Sequence, residues 1–137
     1  MSWSAEEFER EVGDRFAFLI GLGFAQQPME SDGREFSISF VKPTAEIIVA
    51  CESGSPPFVT LAAPVPPETE RRWWSRYRFG LHELVQELTG PEAVLPDTLE
   101  GESEALRRFG DEVLHGRFDV LFKRQGRLGN AVESNRG

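Results

Sequence analysis

The first twenty residues carry apolar side chains at helical spacing. An apolar residue recurs every three or four positions: Phe8, Val12, Phe16, Leu19 and Ile20. Ser4 with Glu7 is a capping box, in which the two side chains satisfy free N–H groups of the first helical turn. Gly23 follows as a stop signal. The pattern predicts one amphipathic helix over residues 5–21, with its charged side chains on the outside.

The next forty residues alternate between apolar and polar side chains instead. The clearest run places Phe36, Ile38 and Phe40 on one face of a strand and Ser37 and Ser39 on the other. Strands are predicted over residues 24–29, 35–41, 45–51 and 58–63, separated by short turns rich in Gly and Pro. Because the turns are short, the four strands should form an antiparallel meander.

One face of this meander has only small or mildly polar side chains: Ser37, Ser39, Ile48, Ala50 and Thr60. The alternation of the third strand turns Ile47, Val49 and Cys51 to the opposite, apolar face. A flat surface of small residues can be solvated, covered by the proline-rich segment that follows the fourth strand, or used for dimerisation. The sequence leaves these three possibilities open.

Helical spacing returns after the prolines at residues 64–67. Thr69 can cap a second helix that ends at Gly90, and its apolar stripe is Trp74, Tyr77, Leu81, Leu84, Val85 and Leu88. A third helix is predicted over residues 103–114 and a short fourth around 118–122. We therefore expect one α+β domain over residues 1–124: an N-terminal helix, a four-stranded antiparallel meander, and two to three C-terminal helices on one sheet face. Residues 125–137 lack periodicity, which predicts a disordered tail.

The charge balance narrows the choice of partner. The chain has 23 acidic against 15 basic residues, a formal net charge of −8. A negative surface repels phosphate backbones and anionic lipid, so we expect neither a nucleic-acid nor a membrane partner. Another protein with a basic surface is favoured instead. The N-terminus lacks the basic and apolar regions of a signal peptide, and no stretch is apolar enough to span a membrane, which predicts a cytoplasmic protein.

The side chains that could perform chemistry are few and scattered. His82-Glu83 begins a zinc-protease motif, but position 86 is Gln where the second histidine ligand should be. Cys51 occupies an inward position of a strand, which is typical of a buried apolar residue. His115 lies in the last turn before Gly116, where an imidazole suits the negative end of a helix. We therefore predict no catalytic residue, no metal site and no cofactor, and a protein that is not an enzyme.

One segment departs from the average composition. Residues 71–79 contain four arginines and four aromatic residues, side-chain types that are enriched at the energetic centres of protein interfaces. Core packing would account for Trp74 and Tyr77, whereas a helix would point Trp73 about 100° away from them. The segment thus supplies candidate partner-binding residues: Arg71, Arg72, Trp73, Arg76 and Arg78.

Two short segments carry a resemblance to a known group of proteins. They are Phe79-Gly80-Leu81-His82-Glu83-Leu84 and the run from Phe109-Gly110 to Arg117-Phe118. With the order of elements over residues 5–122, they resemble small uncharacterised bacterial α+β proteins, some of which lie near polymorphic toxins and are similar to immunity proteins. The resemblance implies a non-enzymatic, acidic binder of a partner protein and transfers no catalytic residue.

Three functions remain open at this point. The first is a protein-binding module, of the type that inhibits a cationic toxin. The second is a small-molecule-binding or enzymatic domain with a pocket near Trp73, Tyr77 and His82. The third is a structural protein that forms homodimers through the face of small residues.

Overall fold

The N-terminal helix of the computed structural model ends earlier than its apolar stripe. The model describes residues 3–52, 54–65, 77–94 and 98–126. Helix α1 (Ala5–Arg15) is capped by Ser4, whose hydroxyl accepts from the N–H of Glu7 at 3.2 Å. The prediction of one helix over 5–21 is wrong at Phe16 and residue 17, which form a turn before a second short helix, α2 (Phe18–Gly21). Phe16 and Leu19 are both fully buried.

The strands form one antiparallel sheet, as the alternation predicts. They are β1 (Ala25–Gln26), β2 (Glu30–Ser31), β3 (Glu35–Lys42), β4 (Ala45–Glu52), β5 (Phe58–Ala62) and β6 (Arg78–Gly80). The order across the sheet is β1-β3-β4-β5-β6, and β2 also pairs with β3. Of the strand predicted over 24–29, only the two residues of β1 form a strand, and β2 lies just beyond the predicted bounds. Both short strands pair with the same edge of β3.

Strand β6 occupies residues 78–80, which lie within the predicted second helix, and residues 69–76 of that prediction lie outside the described residues. Phe79 lies opposite Leu61 of β5 and is buried with it. Helix α3 (Leu81–Thr89) begins only after this strand, and the carboxylate of Glu83 accepts from the N–H of Gly80 at 2.8 Å. The prediction of a helix from Thr69 is therefore wrong at residues 78–80. Leu88, placed in its apolar stripe, is half exposed.

The C-terminal helices also differ in their bounds from the predicted ones. Helix α4 (Leu99–Phe109) starts four residues early, because the Thr98 hydroxyl caps the N–H of Gly101 at 2.9 Å. Gly110 separates it from α5 (Asp111–Leu114). Residues 119–126 form a further helix, α6, which extends beyond the predicted domain end at residue 124. Residues 127–137 of the predicted tail lie outside the described residues.

All of the buried apolar side chains on the inner sheet face pack against the helices. Phe8 of α1 lies 5.9 Å from Phe36 between ring centroids, and Phe16 lies 6.2 Å from Phe40. Helices α3 and α4 contact β5 and each other. The inward orientation predicted for the side chains of Ile47, Val49 and Cys51 in β4 is confirmed, since all three are buried. They belong to one hydrophobic core, which includes Phe8, Val12, Phe16, Leu19, Ile38, Phe40, Ile47, Val49, Cys51, Leu61, Phe79, Leu81, Leu84, Leu106 and Leu121. The described chain is thus an α+β domain with its helices on one side of the sheet, as predicted.

Candidate functional site

The outer face of the sheet is the surface turned away from this core. Strand register places its side chains in three rows across the sheet: Ser37, Ala50 and Phe58; Ser39, Ile48 and Thr60; Val41, Glu46, Ala62 and Arg78. The prediction that Ser37, Ser39, Ile48, Ala50 and Thr60 share one face is confirmed by this register. Because side chains alternate along a strand, the same rule places Val41, Phe58 and Arg78 among them.

The outer face is partly apolar. Phe58 is 41% exposed and Val41 is 37% exposed, although both are large apolar residues. Ile48 is half-buried between Ser39 and Thr60, and Ala50 is buried at the base of the face. Among the described residues, none of these side chains belongs to the hydrophobic core. The outer face therefore offers apolar area that the domain itself leaves accessible.

Carboxylates gather at one end of this face, and we name Glu30, Glu35 and Glu52 the acidic end. Register places Glu35 directly opposite Glu52, and Glu30 opposite Ser37 in the next row. Like charges facing each other across two strands are destabilising. Within the described part of the chain, none of the three is joined to a cation by an ion pair. The acidic end thus carries uncompensated negative charge beside an apolar surface.

A tight turn next to the acidic end fixes its local geometry. The Asp32 carboxylate accepts from the N–H of Arg34 at 3.0 Å and from that of Glu35 at 2.8 Å. These hydrogen bonds favour the charged form and lower the pKa of Asp32 below its ordinary value. The turn orients the first residue of β3, and with it the carboxylate of Glu35.

His82 borders the outer face at the opposite edge of the sheet. A Cβ atom on Gly80 would lie 2.5 Å from Cε1 of His82, so the imidazole occupies the space that the glycine leaves. Gly80 itself lies opposite Thr60. His82 also lines an open cleft of about 360 Å³, which we name the His82 cleft. Phe58 belongs both to this cleft and to the outer face, so the two surfaces are continuous.

The predicted partner-binding residues fall in different parts of the chain. Arg78 is exposed on β6 and lies opposite Ala62 in the outer face. Arg71, Arg72, Trp73 and Arg76 lie outside the described residues. In sequence they belong to the connection between β5 and β6. The N–H of Ala63, just after β5, donates to the carbonyl of Tyr77, just before β6, at 2.8 Å.

Of the three residues predicted to share a pocket, Tyr77 and His82 line two different clefts, and Trp73 lies outside the described residues. Tyr77 packs edge-on against Phe122 at 5.9 Å and lines a cleft of about 290 Å³ with Val41 and Pro64. No described residue lines both this cleft and the His82 cleft. Strand β6 separates Tyr77 from His82, whereas one continuous helix would have brought them to neighbouring turns.

The other chemically active side chains lie apart from one another. Cys51 is buried on the inner face, and desolvation, followed by the nearby charge of Glu35, raises the pKa of its thiol. His115 donates from Nδ1 to the carbonyl of Asp111 at 2.7 Å, the role predicted for a histidine at a helix end. Across the described ranges, no three His, Cys, Asp or Glu side chains form a group that could hold a metal ion.

Sequence reasoning missed the residues that distinguish this surface: Glu30, Glu35, Val41, Glu52 and Phe58. Alternation along the predicted strands could have placed Glu35, Val41 and Phe58 on the outer face, but their exposure depends on which face the helices cover. None of the helices in the described ranges is long and apolar enough to cross a membrane. No protein-family model, curated protein or solved structure matches the chain.

Proposed function

We propose that the chain is a non-enzymatic protein-binding module whose outer sheet face docks a basic protein. The observation that carries the proposal is the combination of exposed Phe58 and Val41 with the acidic end on one side of a sheet that the helices leave open. Inhibition of a cationic toxin, as an immunity protein would perform it, is the specific form of this function that we favour.

Charge supports a basic partner in particular. The chain carries a net charge of −8, and the acidic end holds three carboxylates without ion pairs among the described residues. Complementary charge steers association and raises its rate constant, an effect that salt weakens. The exposed Phe58 and Val41 would supply the buried contact, and the carboxylates of the acidic end would set the orientation of the partner.

The outer face alone is smaller than a stable protein interface. Strands about 4.8 Å apart with a rise of about 3.3 Å per residue give a plate of roughly 20 by 20 Å. A stable interface buries about 800 Å² on each partner, more than such a plate provides. The partner should therefore also contact a neighbouring surface, and the His82 cleft adjoins the face at Phe58.

A second copy of the chain is the competing occupant. Two molecules that each carry −8 repel one another at low ionic strength. A homodimer through the outer face should therefore form, if at all, at high salt. A basic protein should bind best at low salt.

The experiment is a titration of the purified chain with the purified product of the adjacent gene. We expect a complex whose association rate falls as salt rises from about 50 to 500 mM, since screening shortens the range of the charges. Glu52→Arg should weaken the complex by roughly tenfold or more, because it places a cation where the partner's cation should lie. Glu112→Arg on the exposed surface of α5 makes the same charge change away from the outer face and serves as its control.

The Glu52→Arg variant also offers an internal check on folding. The guanidinium that it introduces would face Glu35 across the strands, so the free domain should gain about 0.2–1 kcal/mol of stability while binding weakens. The proposal is wrong if no complex forms at any ionic strength, or if both variants weaken binding equally. A dimer in light scattering that Glu52→Arg disrupts and Glu112→Arg does not would favour a second copy as the occupant of the outer face.

A further inference from the structure

We propose that the cleft lined by Tyr77, Val41 and Pro64, which we name the Tyr77 cleft, receives a tryptophan side chain of the partner as the anchor of this interface. The inference rests on the proposed function, since it assumes a protein partner, and it identifies the chemistry of one anchor residue. The cleft belongs to the outer face itself, because one cross-strand row of that face lines it: Val41, Glu46, Ala62 and Arg78.

Small side chains set between larger ones create the Tyr77 cleft. Three of its lining residues are buried alanines, Ala45, Ala62 and Ala63, whereas Val41 and Val65 at its rim are 37% and 38% exposed. The volume of about 290 Å³ is roughly twice the ~150 Å³ of an apolar cavity that binds benzene. The cleft is therefore large enough for the two fused rings of an indole.

Contacts within the domain hold the sides of the cleft in place. The N–H of Ala63 donates to the carbonyl of Tyr77 at 2.8 Å, and the Tyr77 ring packs edge-on against Phe122 at 5.9 Å between centroids. A preformed pocket avoids the cost of ordering side chains on binding. Anchor residues of protein interfaces bind in well-packed pockets of this kind.

Glu46 gives this apolar cleft a carboxylate. Its position on β4 opposite both Val41 and Ala62 places its side chain on the outer face, between two other lining residues. Glu46 is half-buried and, within the described part of the chain, forms no ion pair. An ionised carboxylate only accepts hydrogen bonds, so it favours an anchor that brings a donor together with its apolar area.

Tryptophan meets these requirements better than a basic residue does. Lys42 and Arg78 also line the cleft, so a further cation would meet like charge on two sides. An indole is uncharged and large, and its N–H needs a hydrogen-bond acceptor when the ring is buried. We therefore expect the indole N–H of the partner to donate to the Glu46 carboxylate, a charge-assisted hydrogen bond.

The Tyr77 cleft and the acidic end lie at opposite ends of the outer face. Glu52 follows Glu46 by six residues along β4, which corresponds to roughly 20 Å at about 3.3 Å per residue. A partner that docks on this face should thus present its tryptophan about 20 Å from the cations that face the acidic end.

Amide chemical shifts of the ¹⁵N-labelled chain test the cleft without the partner protein. The chain is titrated with acetyl-Gly-Trp-Gly-amide and then with the same peptide carrying benzothienylalanine, in which sulfur replaces the indole N–H. We expect saturable shifts around Val41, Ala62 and Tyr77 with the tryptophan peptide. The sulfur analogue should bind roughly tenfold more weakly, because it cannot donate to the carboxylate. The peptide acetyl-Gly-Lys-Gly-amide should give no saturable shifts there.

Two pairs of matched variants locate the effect. Glu46→Gln should weaken the tryptophan peptide by roughly fivefold, whereas Glu52→Gln, the same change on the same strand and face, should leave it unchanged. Ala62→Leu fills the cleft and should abolish binding, whereas Thr60→Leu on the same face of β5 should not. Glu46→Gln keeps the test informative if Ala62→Leu fails to fold.

The outcomes separate the two proposals. Equal binding of the sulfur analogue, an equal loss in Glu52→Gln, or shifts that do not saturate would overturn the assignment of the cleft. Binding that requires Trp73→Ala and Trp74→Ala would also overturn it, because the chain's own side chains would then fill the cleft. Glu52→Arg should weaken the protein complex without altering peptide binding, since Glu52 does not line the cleft. A chain that binds the peptide as expected but forms no complex with the basic protein would refute the outer-face proposal alone.

Discussion

Replacing Ile47 and Ile48 by alanine, one at a time, measures which face of the sheet is covered in solution. The two residues are neighbours in β4 and identical in type, but they point to opposite faces. Ile47 is fully buried in the core, whereas Ile48 is half-buried in the outer face. The pair therefore compares the two faces at the same position along the same strand.

The expected costs follow from burial. Truncation of a buried isoleucine to alanine removes transfer free energy and leaves a cavity, so Ile47→Ala should cost about 2–5 kcal/mol. Ile48→Ala removes three carbon atoms that are only partly covered. At about 0.8 kcal/mol per fully buried methylene, half coverage gives roughly 1 kcal/mol, without a cavity term because water can occupy the space. The inner substitution should thus destabilise the domain by at least about 1–2 kcal/mol more than the outer one.

Equilibrium unfolding in urea, monitored by tryptophan fluorescence and by circular dichroism, gives both free energies. The slope of free energy against denaturant should be unchanged in both variants, so that the midpoints can be compared directly. If Ile48→Ala costs as much as Ile47→Ala, the outer face is covered in the free protein. The outer face could not then be a free docking surface, and the proposed function would lose its basis.

Two further predictions test local features. Gly116 has a φ of +83°, and a Cβ there would lie 2.7 Å from Cβ of Thr44, so Gly116→Ala should cost more than the roughly 1–2 kcal/mol of a left-handed alanine. Gly13→Ala in α1 meets nothing within 4 Å and should instead stabilise the domain by about 0.5–1 kcal/mol; thermal unfolding of the two variants should shift in opposite directions. Because the pKa of Asp32 is lowered in the fold, its contribution to stability should be complete above the pKa of the unfolded chain and vanish as pH falls through the folded pKa. A carboxyl ¹³C titration should therefore place Asp32 below an ordinary exposed aspartate, and Asp32→Asn should remove that part of the acid sensitivity; an ordinary midpoint would contradict the turn geometry.

The fold was predictable from the sequence in segments whose apolar residues fit only one periodicity, either that of a strand or that of a helix. Alternation in β3 and β4 identifies the strands and the inward side of Ile47, and helical spacing identifies α1. The error at β6 has a physical origin. Tyr77, Phe79 and Leu81 alternate with Arg78 and Gly80, which fits a strand, but Tyr77 and Leu81 also belong to a helical stripe that continues to Leu84. Pairing with β5 decides between the two, and that pairing depends on residues distant in sequence.

The candidate site was predictable only in part. The small residues of the outer face follow from alternation, and the exposed charge follows from composition. The facing pair of Glu35 and Glu52 depends on strand register, and the His82 cleft depends on the packing of α3 and α4 around the start of β5. Neither the register nor the packing leaves a local signal in the chain.

By itself, the sequence determined the α+β class, the antiparallel order of β3 to β5 and the negative surface. These properties depend on local alternation, short turns and charge, all of which act over a few residues. Only the tertiary structure decided that Phe58 stays accessible on the uncovered face and that Glu102 lines a cleft. Burial arises from contacts between distant segments, so the same apolar residue can be core or surface until the chain has folded.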